Sequence, residues 1–545
     1  MLRVLQVTRS SSLGPVRGKD SAPREFVQAR RGRRQVARRG SIACGVELVA
    51  KGVLKQRGHC SLREFFRSVD RVANGYLLRQ MTATAPCYCT AGTPWLTLLY
   101  TRMMVNRKCW EGVLSVAVLF ALCSLVACSG RSTGSSSPTP PMNEGITVNG
   151  STYSSLDTAL AACPEAGNCT LQFSNGTWPT QFYSGNKCIS RSDLTLHGAG
   201  LPQLDSLSAP SRLVGGTIIQ PGLAFCGASN VEINDLGVDD GPAYFAATGI
   251  ATNGIQFEGA TGAHSDPLVT NIAVTHEIAL GSSSNAQFHG NLFEHAKGVS
   301  LSDLTAVFNT HCNVIKSQDV VAKELRGIAC SNDAGVLIKS DGYTAVSNVQ
   351  VDDISASAIT SGDVASAVIV DAMESNSVSK VTITHVRASG TQFGINFFSN
   401  SSLGQEGLKD ISISDVNAVL SNSPQGRTPS CIVSQTNSAD HQAKNIHIAN
   451  YYCENDTPLA AAPIEIYNDW INSTIENWTS VNGGYCSTLG GTIDITGWAD
   501  QGSGSTVPTF CTLDSSTLVN VTGYSSTRGN SPYGQIAPGS VLKIY

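Results

Sequence analysis

From about Gly145 to its end, the chain repeats two kinds of short segment in which apolar and polar residues alternate. Alternation with a period of two residues is typical of half-buried β-strands. The two kinds take turns along the chain, and each recurs after about 23 to 36 residues in most steps, which is the period of a solenoid. The first kind lies at 230–236, 271–274, 299–304, 348–354, 380–386, 410–416 and 445–450. The second kind lies at 254–258, 313–317, 335–340, 367–371, 394–398, 431–434, 464–467 and 492–495.

This repeat predicts an all-β chain folded as a right-handed parallel β-helix, in which each coil stacks its strands on those of the next coil. One coil cannot bury its own apolar face, so neighbouring coils stabilise each other. A β-sandwich is the alternative, but it would show more hairpin turns. The residues expected in the buried ladders are Val336, Ile338, Val368, Val370, Ile395, Phe397, Val433, Ile464 and Ile466.

The repeat region resembles the pectate-lyase-like β-helix superfamily, and the resemblance covers residues 145–545. It rests on the order of segments at the start of the region: a helix-like stretch at 155–163, a strand-like stretch at 171–178, and a turn with two glycines at 193–200. The resemblance implies a short N-terminal capping helix. It identifies a fold and leaves the reaction to be argued from the site.

Composition divides the 545 residues into two parts of opposite charge. Residues 1–103 contain 19 Lys and Arg against 5 Asp and Glu, whereas residues 129–545 contain 16 against 35. An acidic body argues against nucleic acid as a partner, because phosphate contacts need clustered cations. The low share of charged residues, 14%, also argues against a long coiled coil.

Between these parts, residues 104–127 have a short basic start and an apolar run of the length of a secretory signal. The run ends in Leu-Val-Ala-Cys, which resembles the lipobox of bacterial lipoproteins and implies lipidation of Cys128. Residues 128–144, rich in Ser and Pro, would then be a tether. Export, with a lipid anchor in the cell envelope, follows from this resemblance. An ordinary apolar anchor with an incidental cysteine is the alternative.

Residues 1–103 precede this signal, although an export signal must be N-terminal. We expect that translation begins at Met103 or Met104 and that the upstream segment is a misassigned start. A disordered basic extension is the alternative.

Ten cysteines follow Cys128, an even number that suits an oxidising compartment. The sequence does not fix their connectivity. Near neighbours suggest the pairs Cys163–Cys169, Cys312–Cys330, Cys431–Cys453 and Cys486–Cys511.

Alternation also predicts which charged side chains point away from the core. If Val336 and Ile338 point inward, Lys339 points outward, with Lys316 at the same place one coil earlier and Asp371 one coil later. Because stacked coils lie roughly 4.8 Å apart, these three residues would form a charged ladder on one face. The flanking candidates are His311, Asp333 and Asp341.

Adjacent lysines suit acidic sugars, since they can neutralise a uronate carboxylate and acidify the proton beside it. Residues 313–320 resemble the lysine-bearing strand of the chondroitinase B and alginate lyase family, which implies Lys316 as base. Lys339 stands where that family has an arginine and would hold the carboxylate, with His311 assisting. Asp371, Asp341 and Asp333 would contact the substrate. The alternative for the lysines is an ordinary solvated surface.

Residues 335–339 also resemble a substrate-binding strand of polygalacturonases, and residues 310–312 partly resemble a second motif of that family. The paired aspartates that such a hydrolase would need in the preceding coils are missing, which disfavours hydrolysis. The sequence specifies no cofactor and no metal-ligand spacing. Calcium is the one ion it suggests, at Asp239, Asp240 or Asp266.

The expected function is therefore action on acidic polysaccharide, by β-elimination at uronate residues. A polygalacturonase-like hydrolase and a non-catalytic carbohydrate-binding solenoid are the alternatives. Asp235, Asp303 and Asp415 follow strands, at places where ladders of Asn and Asp stabilise the corners of such coils.

Overall fold

The computed structural model describes residues 145–545 except 209–210, 262–264, 282–288, 332–333, 343, 360–364, 404–405, 422–428, 436–441, 456–461, 468–469, 484–485, 503–507, 513–516 and 530. The predicted upstream segment 1–103, the signal 104–127 and the tether 128–144 with Cys128 lie outside the described residues, and so does Asp333. No helix within the described ranges is both long and apolar enough to cross a membrane.

The described residues form two short helices and thirty strands, numbered here in chain order. The helices are α1 (Leu156–Ala161) and α2 (Pro242–Thr248). The first strands are β1 (Ile146–Val148), β2 (Ser151–Tyr153), β3 (Cys169–Phe173), β4 (Gly176–Pro179), β5 (Leu194–His197), β6 (Gln203–Leu204), β7 (Leu213–Val214), β8 (Thr217–Gln220), β9 (Leu223–Cys226), β10 (Val231–Asp239), β11 (Ile255–Glu258), β12 (Val269–Leu280), β13 (His289–Val307), β14 (His311–Ile328) and β15 (Ala334–Lys339). The remaining strands are β16 (Val346–Ser357), β17 (Ser366–Glu374), β18 (Val378–Thr391), β19 (Phe393–Ser401), β20 (Leu408–Leu420), β21 (Ser430–Gln435), β22 (Ala443–Asn455), β23 (Ala462–Ile466), β24 (Trp470–Val481), β25 (Ser487–Leu489), β26 (Gly491–Gln501), β27 (Phe510–Thr512), β28 (Leu518–Thr522), β29 (Ser525–Ser526) and β30 (Val541–Ile544).

Strand pairing confirms the predicted all-β, right-handed parallel β-helix. Most strands pair in parallel with a strand one coil away, as β14 does with β16, β16 with β18, and β18 with β20. The second set of strands pairs in the same way, from β15 to β17, β19, β21 and β23. Antiparallel pairs occur at the N-terminal end, where β1 pairs with β2 and β3.

The predicted capping helix is α1. The Ser155 hydroxyl accepts a hydrogen bond from the backbone N–H of Thr158 (3.3 Å), which satisfies a donor that the first turn leaves open. Leu156 and Ala159 point into the core of the first coils.

The interior of the coils is filled by stacked apolar side chains, and the predicted ladders are confirmed with one correction. All the predicted residues are buried, but Val433 stands in an outward column, opposite Asn396 and Glu465. Its neighbour Ile432 pairs with Ile395 and Ile464 and fills the inward column. Residues 431–433 are all apolar, so alternation does not determine which of them points inward.

The corners between faces are built by residues with left-handed backbone. Asp235, Asp303 and Asp415 have φ between 54° and 58°, a conformation that Asn and Asp tolerate better than most residues. Asn450 donates from Nδ2 to Asp415 Oδ1 (2.9 Å), which links two coils. These corners confirm the predicted positions of the three aspartates.

Five disulfides connect all ten cysteines of the described region. The four suggested pairs are present, and Cys188–Cys226 is the fifth. Their Cα–Cα distances of 5.6 to 5.9 Å are normal for a disulfide.

Candidate functional site

The two predicted lysines lie on one outer face, on consecutive coils. Ile315 pairs with Ile338, so the next residues along the two strands, Lys316 and Lys339, occupy the same column. Glu294 pairs with Lys316 on one side, and Asp371 pairs with Lys339 on the other. The column therefore reads Glu294, Lys316, Lys339, Asp371, with one residue from each coil.

Both lysines are ion-paired. Lys316 Nζ lies 3.2 Å from Glu294 Oε1 and 3.4 Å from Asp341 Oδ2, and Lys339 Nζ lies 3.3 Å from Asp371 Oδ2. The side chains of Lys316 and Lys339 are 16% and 26% exposed. Both lysines are therefore largely buried, and each keeps a part of its side chain in contact with solvent. The contacting carboxyl groups remove the repulsion that two adjacent ammonium groups would otherwise have.

Glu294 and Asp341 form a carboxyl pair at Lys316. Burial raises the pKa of Glu294 above its usual value, Lys316 lowers it, and the hydrogen-bonding contact with the Asp341 carboxyl raises it again. Two carboxyl groups this close favour one shared proton, because both cannot ionise without strong repulsion. Asp341 is held in place by the backbone N–H of Thr344, which donates to its Oδ1 (2.8 Å).

Two histidines lie beside each other at the start of the strands that carry Glu294 and Lys316. His289 pairs with His311 in the parallel register, and their ring centroids are 4.8 Å apart. Burial lowers the pKa of His289 well below its usual value, and the nearby His311, Lys316 and Lys339 lower it further. The His289 ring is therefore neutral at pH 7.

An apolar strip separates the histidines from the charged column. It consists of outward side chains that are nevertheless buried, and it is distinct from the interior core: Leu292, Val314, Ala334, Leu337 and Ile369, with Phe398 packed against them. Apolar surroundings lower the local dielectric and strengthen the charge interactions beside them.

Behind this face, polar residues replace aliphatic ones inside the coils. Asn291 and Asn313 occupy the inward column of Ile255 and Val336, and Glu277 occupies a column of leucines. Asn291 Nδ2 lies 2.9 Å from Glu277 Oε2 and 3.1 Å from Asn313 Oδ1. Burial raises the pKa of Glu277 to about 8, so its carboxyl is neutral at pH 7.

The aspartates suggested for calcium are not gathered into one metal site. Asp239 Oδ1 accepts from Gly241 N (2.9 Å), Asp240 Oδ2 from Thr252 N (2.7 Å), and Asp266 Oδ2 from Thr261 N (2.6 Å). Burial raises the pKa of Asp239, and raises that of Asp240 to about 7, which favours neutral carboxyls that bind cations poorly. In the described ranges, the one group of three converging ligand residues is Cys188, Cys226 and Glu258, and both cysteines are in a disulfide.

A shallow groove of about 390 Å³ lies on a different face, across β16, β18, β20 and β22. Its polar side chains belong to a corner ladder, in which Asn445 Nδ2 donates to Asp410 Oδ1 (2.7 Å) and Asn348 Nδ2 donates to Asp319 Oδ1 (2.8 Å). These contacts give the groove a structural role.

The structure thus brings Lys316, Lys339, His311, Asp341 and Asp371 to one face. It adds Glu294 and His289, which sequence reasoning did not place in the site. The sequence could have indicated both residues, because Glu294 lies one coil before Lys316 and His289 lies one coil before His311 in the same columns. Asp341 differs, since it lies two residues beyond its strand and reaches back to Lys316.

Comparison with known proteins finds solved structures of low identity and low structural similarity. No protein-family profile and no curated protein matches the chain. Among solved structures, DFA-IIIase from Arthrobacter chlorophenolicus A6 without its lid is 11% identical (TM-score 0.33; 68% of this chain, 83% of that chain). The A-module of mannuronan C-5 epimerase AlgE6 from Azotobacter vinelandii is 14% identical (0.31; 71%, 92%), and a family 28 exopolygalacturonase from Yersinia enterocolitica is 10% identical (0.32; 72%, 76%). The parallel β-helix fold follows from the chain's own strand pairing.

Proposed function

We propose that the protein acts on an acidic polysaccharide and cleaves it by β-elimination at uronate residues. The observation that supports this most directly is the convergence of three kinds of group on one half-buried face. These groups are the ammonium groups of Lys316 and Lys339, the neutral imidazole of His289, and the carboxyl pair of Glu294 and Asp341. Elimination at a uronate needs a cation, a base and an acid, in that combination.

The lysines supply the cation. Among the described residues Lys339 has one ion pair, and its side chain is the more exposed of the two lysines, so we assign it the substrate carboxylate, the role expected from the sequence. Lys316 contacts two carboxyl groups, and these contacts favour a positioning role over the base role that the sequence resemblance implied for it. Its role is to hold Glu294 and Asp341 beside the substrate.

The adjacent histidines His289 and His311 supply the base. A neutral imidazole of the His289–His311 pair removes the proton from the carbon beside the uronate carboxyl group. The bond between the next carbon and the glycosidic oxygen breaks, and a carbon–carbon double bond forms. The leaving oxygen takes its proton from the Glu294–Asp341 pair, because burial raises the pKa of Glu294 and so favours its protonated form.

Hydrolysis fits this geometry less well. Retaining glycosidases hold their two carboxyl groups about 5 to 5.5 Å apart, and inverting enzymes hold them about 6.5 to 9.5 Å apart. Glu294 and Asp341 both contact the Lys316 ammonium group, and the contact between the two carboxyl groups that raises the pKa of Glu294 is closer than either spacing.

The test is a panel of pectate, alginate and glycosaminoglycans, with ultraviolet absorbance of unsaturated uronate products as the readout. We expect Lys339→Ala to lower kcat/KM by about a hundredfold or more, because it removes a charge that stabilises the transition state. Lys323→Ala is the matched control, since Lys323 lies on another face and pairs with Glu324. Reducing ends without absorbance would indicate hydrolysis, and binding without any product would indicate a carbohydrate-binding solenoid; either result contradicts the proposal.

We further propose that the mature protein is exported and anchored in the cell envelope through lipidated Cys128. The five disulfides support an oxidising compartment outside the cytoplasm.

A further inference from the structure

The face that carries the lysines continues beyond Asp371 with a different chemistry. In the same outward column, Asp371 pairs with Phe398 and Phe398 pairs with residue 435. Ile466 is buried in the core and pairs with Ser434, so Tyr467, the next residue, is the following member of the column. The column changes from charged to aromatic within four coils.

Tyr467 is half exposed (50%), and its orientation is set by a hydrogen bond. Its hydroxyl lies 3.2 Å from Glu465 Oε2, and Glu465 is the outward neighbour on the same strand. An exposed aromatic ring whose polar end is held by a neighbour offers a flat face for packing against the apolar face of a sugar ring.

Asn396 adds a buried polar group to this part of the face. It lies in the column between Ile369 and Val433, one coil from Ile369 in the apolar strip. Its side chain is almost fully buried, and among the described residues its Oδ1 has no hydrogen-bond partner. A buried oxygen without a hydrogen-bond partner destabilises the fold, so a hydrogen bond donated by a ligand would stabilise Asn396 Oδ1.

The charge of this region opposes a second uronate. The strands β19, β21 and β23 contain one carboxyl group, Glu465, and no Lys or Arg in their sequence. A uronate carboxylate placed beside the Glu465 carboxyl group would find no Lys or Arg on these three strands, whereas a neutral sugar needs none.

We propose that Asn396, Phe398, Glu465 and Tyr467 form a subsite for a neutral sugar, and that the substrate is a mixed polysaccharide with a uronate at the lysines and neutral residues toward the C-terminal coils. The inference rests on the proposed function for the uronate end. Tyr467 stands four coils beyond Lys339, roughly 19 Å at the usual strand spacing. An oligosaccharide can span that distance, and a disaccharide cannot.

The experiment measures dissociation constants by calorimetry in a Glu294→Gln background, which removes the proposed acid and prevents turnover. The probes are a hexasaccharide of alternating uronic acid and neutral hexose, a hexasaccharide of the same uronic acid alone, and the uronic acid disaccharide. The subsite variants are Tyr467→Ala, Tyr467→Phe and Glu465→Gln.

We expect the mixed hexasaccharide to bind more tightly than the uronic acid hexasaccharide. Tyr467→Ala should weaken binding of the mixed probe by about tenfold, which corresponds to roughly 1.4 kcal/mol, and leave the disaccharide unchanged. Tyr467→Phe should keep most of the affinity, because it keeps the ring. Glu465→Gln should reduce the preference for the mixed probe by removing the like charge.

Equal affinities of the two hexasaccharides, or an unchanged affinity of Tyr467→Ala for the mixed probe, would overturn the subsite. Lys339→Ala separates this failure from that of the proposed function. If Lys339→Ala weakens all uronides while Tyr467→Ala has no effect, the subsite alone fails. If Lys339→Ala changes nothing and Tyr467→Ala acts as expected, the lysine site fails and the neutral-sugar subsite stands.

Discussion

At the scale of single residues, the chain places polar groups where neighbouring coils have aliphatic ones. Glu277, Asn291 and Asn313 replace apolar side chains in the interior, directly behind the strands that carry the histidines and Lys316. Among the described residues, Glu277 Oε1 and Asn291 Oδ1 are buried without a hydrogen-bond partner. Buried polar groups that are only partly satisfied reduce stability, so we infer that this network positions the strands of the site at some cost to the fold.

The raised pKa of Glu277 makes stability depend on pH. Its pKa is about 8 in the folded chain against a usual value of 4.5. Between these values the unfolded chain releases the proton and the folded chain keeps it, so stability falls as pH rises from about 4.5 to about 8 and then levels off.

Glu277→Gln should remove this slope, which amounts to at most about 1.4 kcal/mol per pH unit. We expect the variant to match the native chain near pH 5 and to melt at a higher temperature near pH 8. Glu232→Gln is the matched control, because Glu232 is exposed on the neighbouring strand β10. A melting temperature that falls in parallel for the native chain and for Glu277→Gln would contradict the assignment.

At the scale of elements, the fold depends on corners that repeat in every coil. Asn445 has φ of 54° and donates to Asp410 Oδ1 one coil earlier, which also has positive φ. The left-handed conformation costs an ordinary residue about 1 to 2 kcal/mol, and the hydrogen bond adds about 1 kcal/mol.

Asn445→Ala should therefore lower the free energy of unfolding by about 2 kcal/mol. Asn445→Gly should lower it less, because glycine adopts positive φ without strain and loses only the hydrogen bond. Chemical denaturation of both variants measures the difference. If both variants lose the same free energy of unfolding, the positive φ of Asn445 does not account for its contribution to stability.

Strand periodicity also explains how much of the site the sequence could predict. Lys316, Lys339 and Asp371 could be placed in one column because alternation fixes the face and the coil fixes the neighbour. Ile432 and Val433 could not be told apart, because adjacent apolar residues leave the direction of the strand open. The contact of Asp341 with Lys316 could not be predicted either, because it depends on the path of the chain after β15.

At the scale of the whole molecule, we propose that a lipid anchor at Cys128 tethers an acidic, disulfide-linked solenoid. Five disulfides are distributed from Cys163 near the cap to Cys511 near the C-terminal coils. A single lipidated cysteine of this type carries several acyl chains, which suffices for stable anchoring.

Cys128→Ala should therefore release the protein from membranes. We expect the native protein in the membrane fraction and the variant in the soluble fraction, with acyl label incorporated only into the native form. A mass measurement of the native N-terminus also tests whether the mature chain begins at Cys128. Membrane association that survives Cys128→Ala would contradict the lipid anchor.

The central claim is that Lys316 and Lys339, on consecutive coils, form the floor of a uronate site. A crystal structure of the Glu294→Gln variant with an acidic oligosaccharide tests it most directly. We expect a uronate carboxylate within hydrogen-bonding distance of Lys339 Nζ, with the adjacent ring carbon facing His289 or His311. A sugar chain bound on another face, or a uronate that turns its carboxylate away from both lysines, would contradict it.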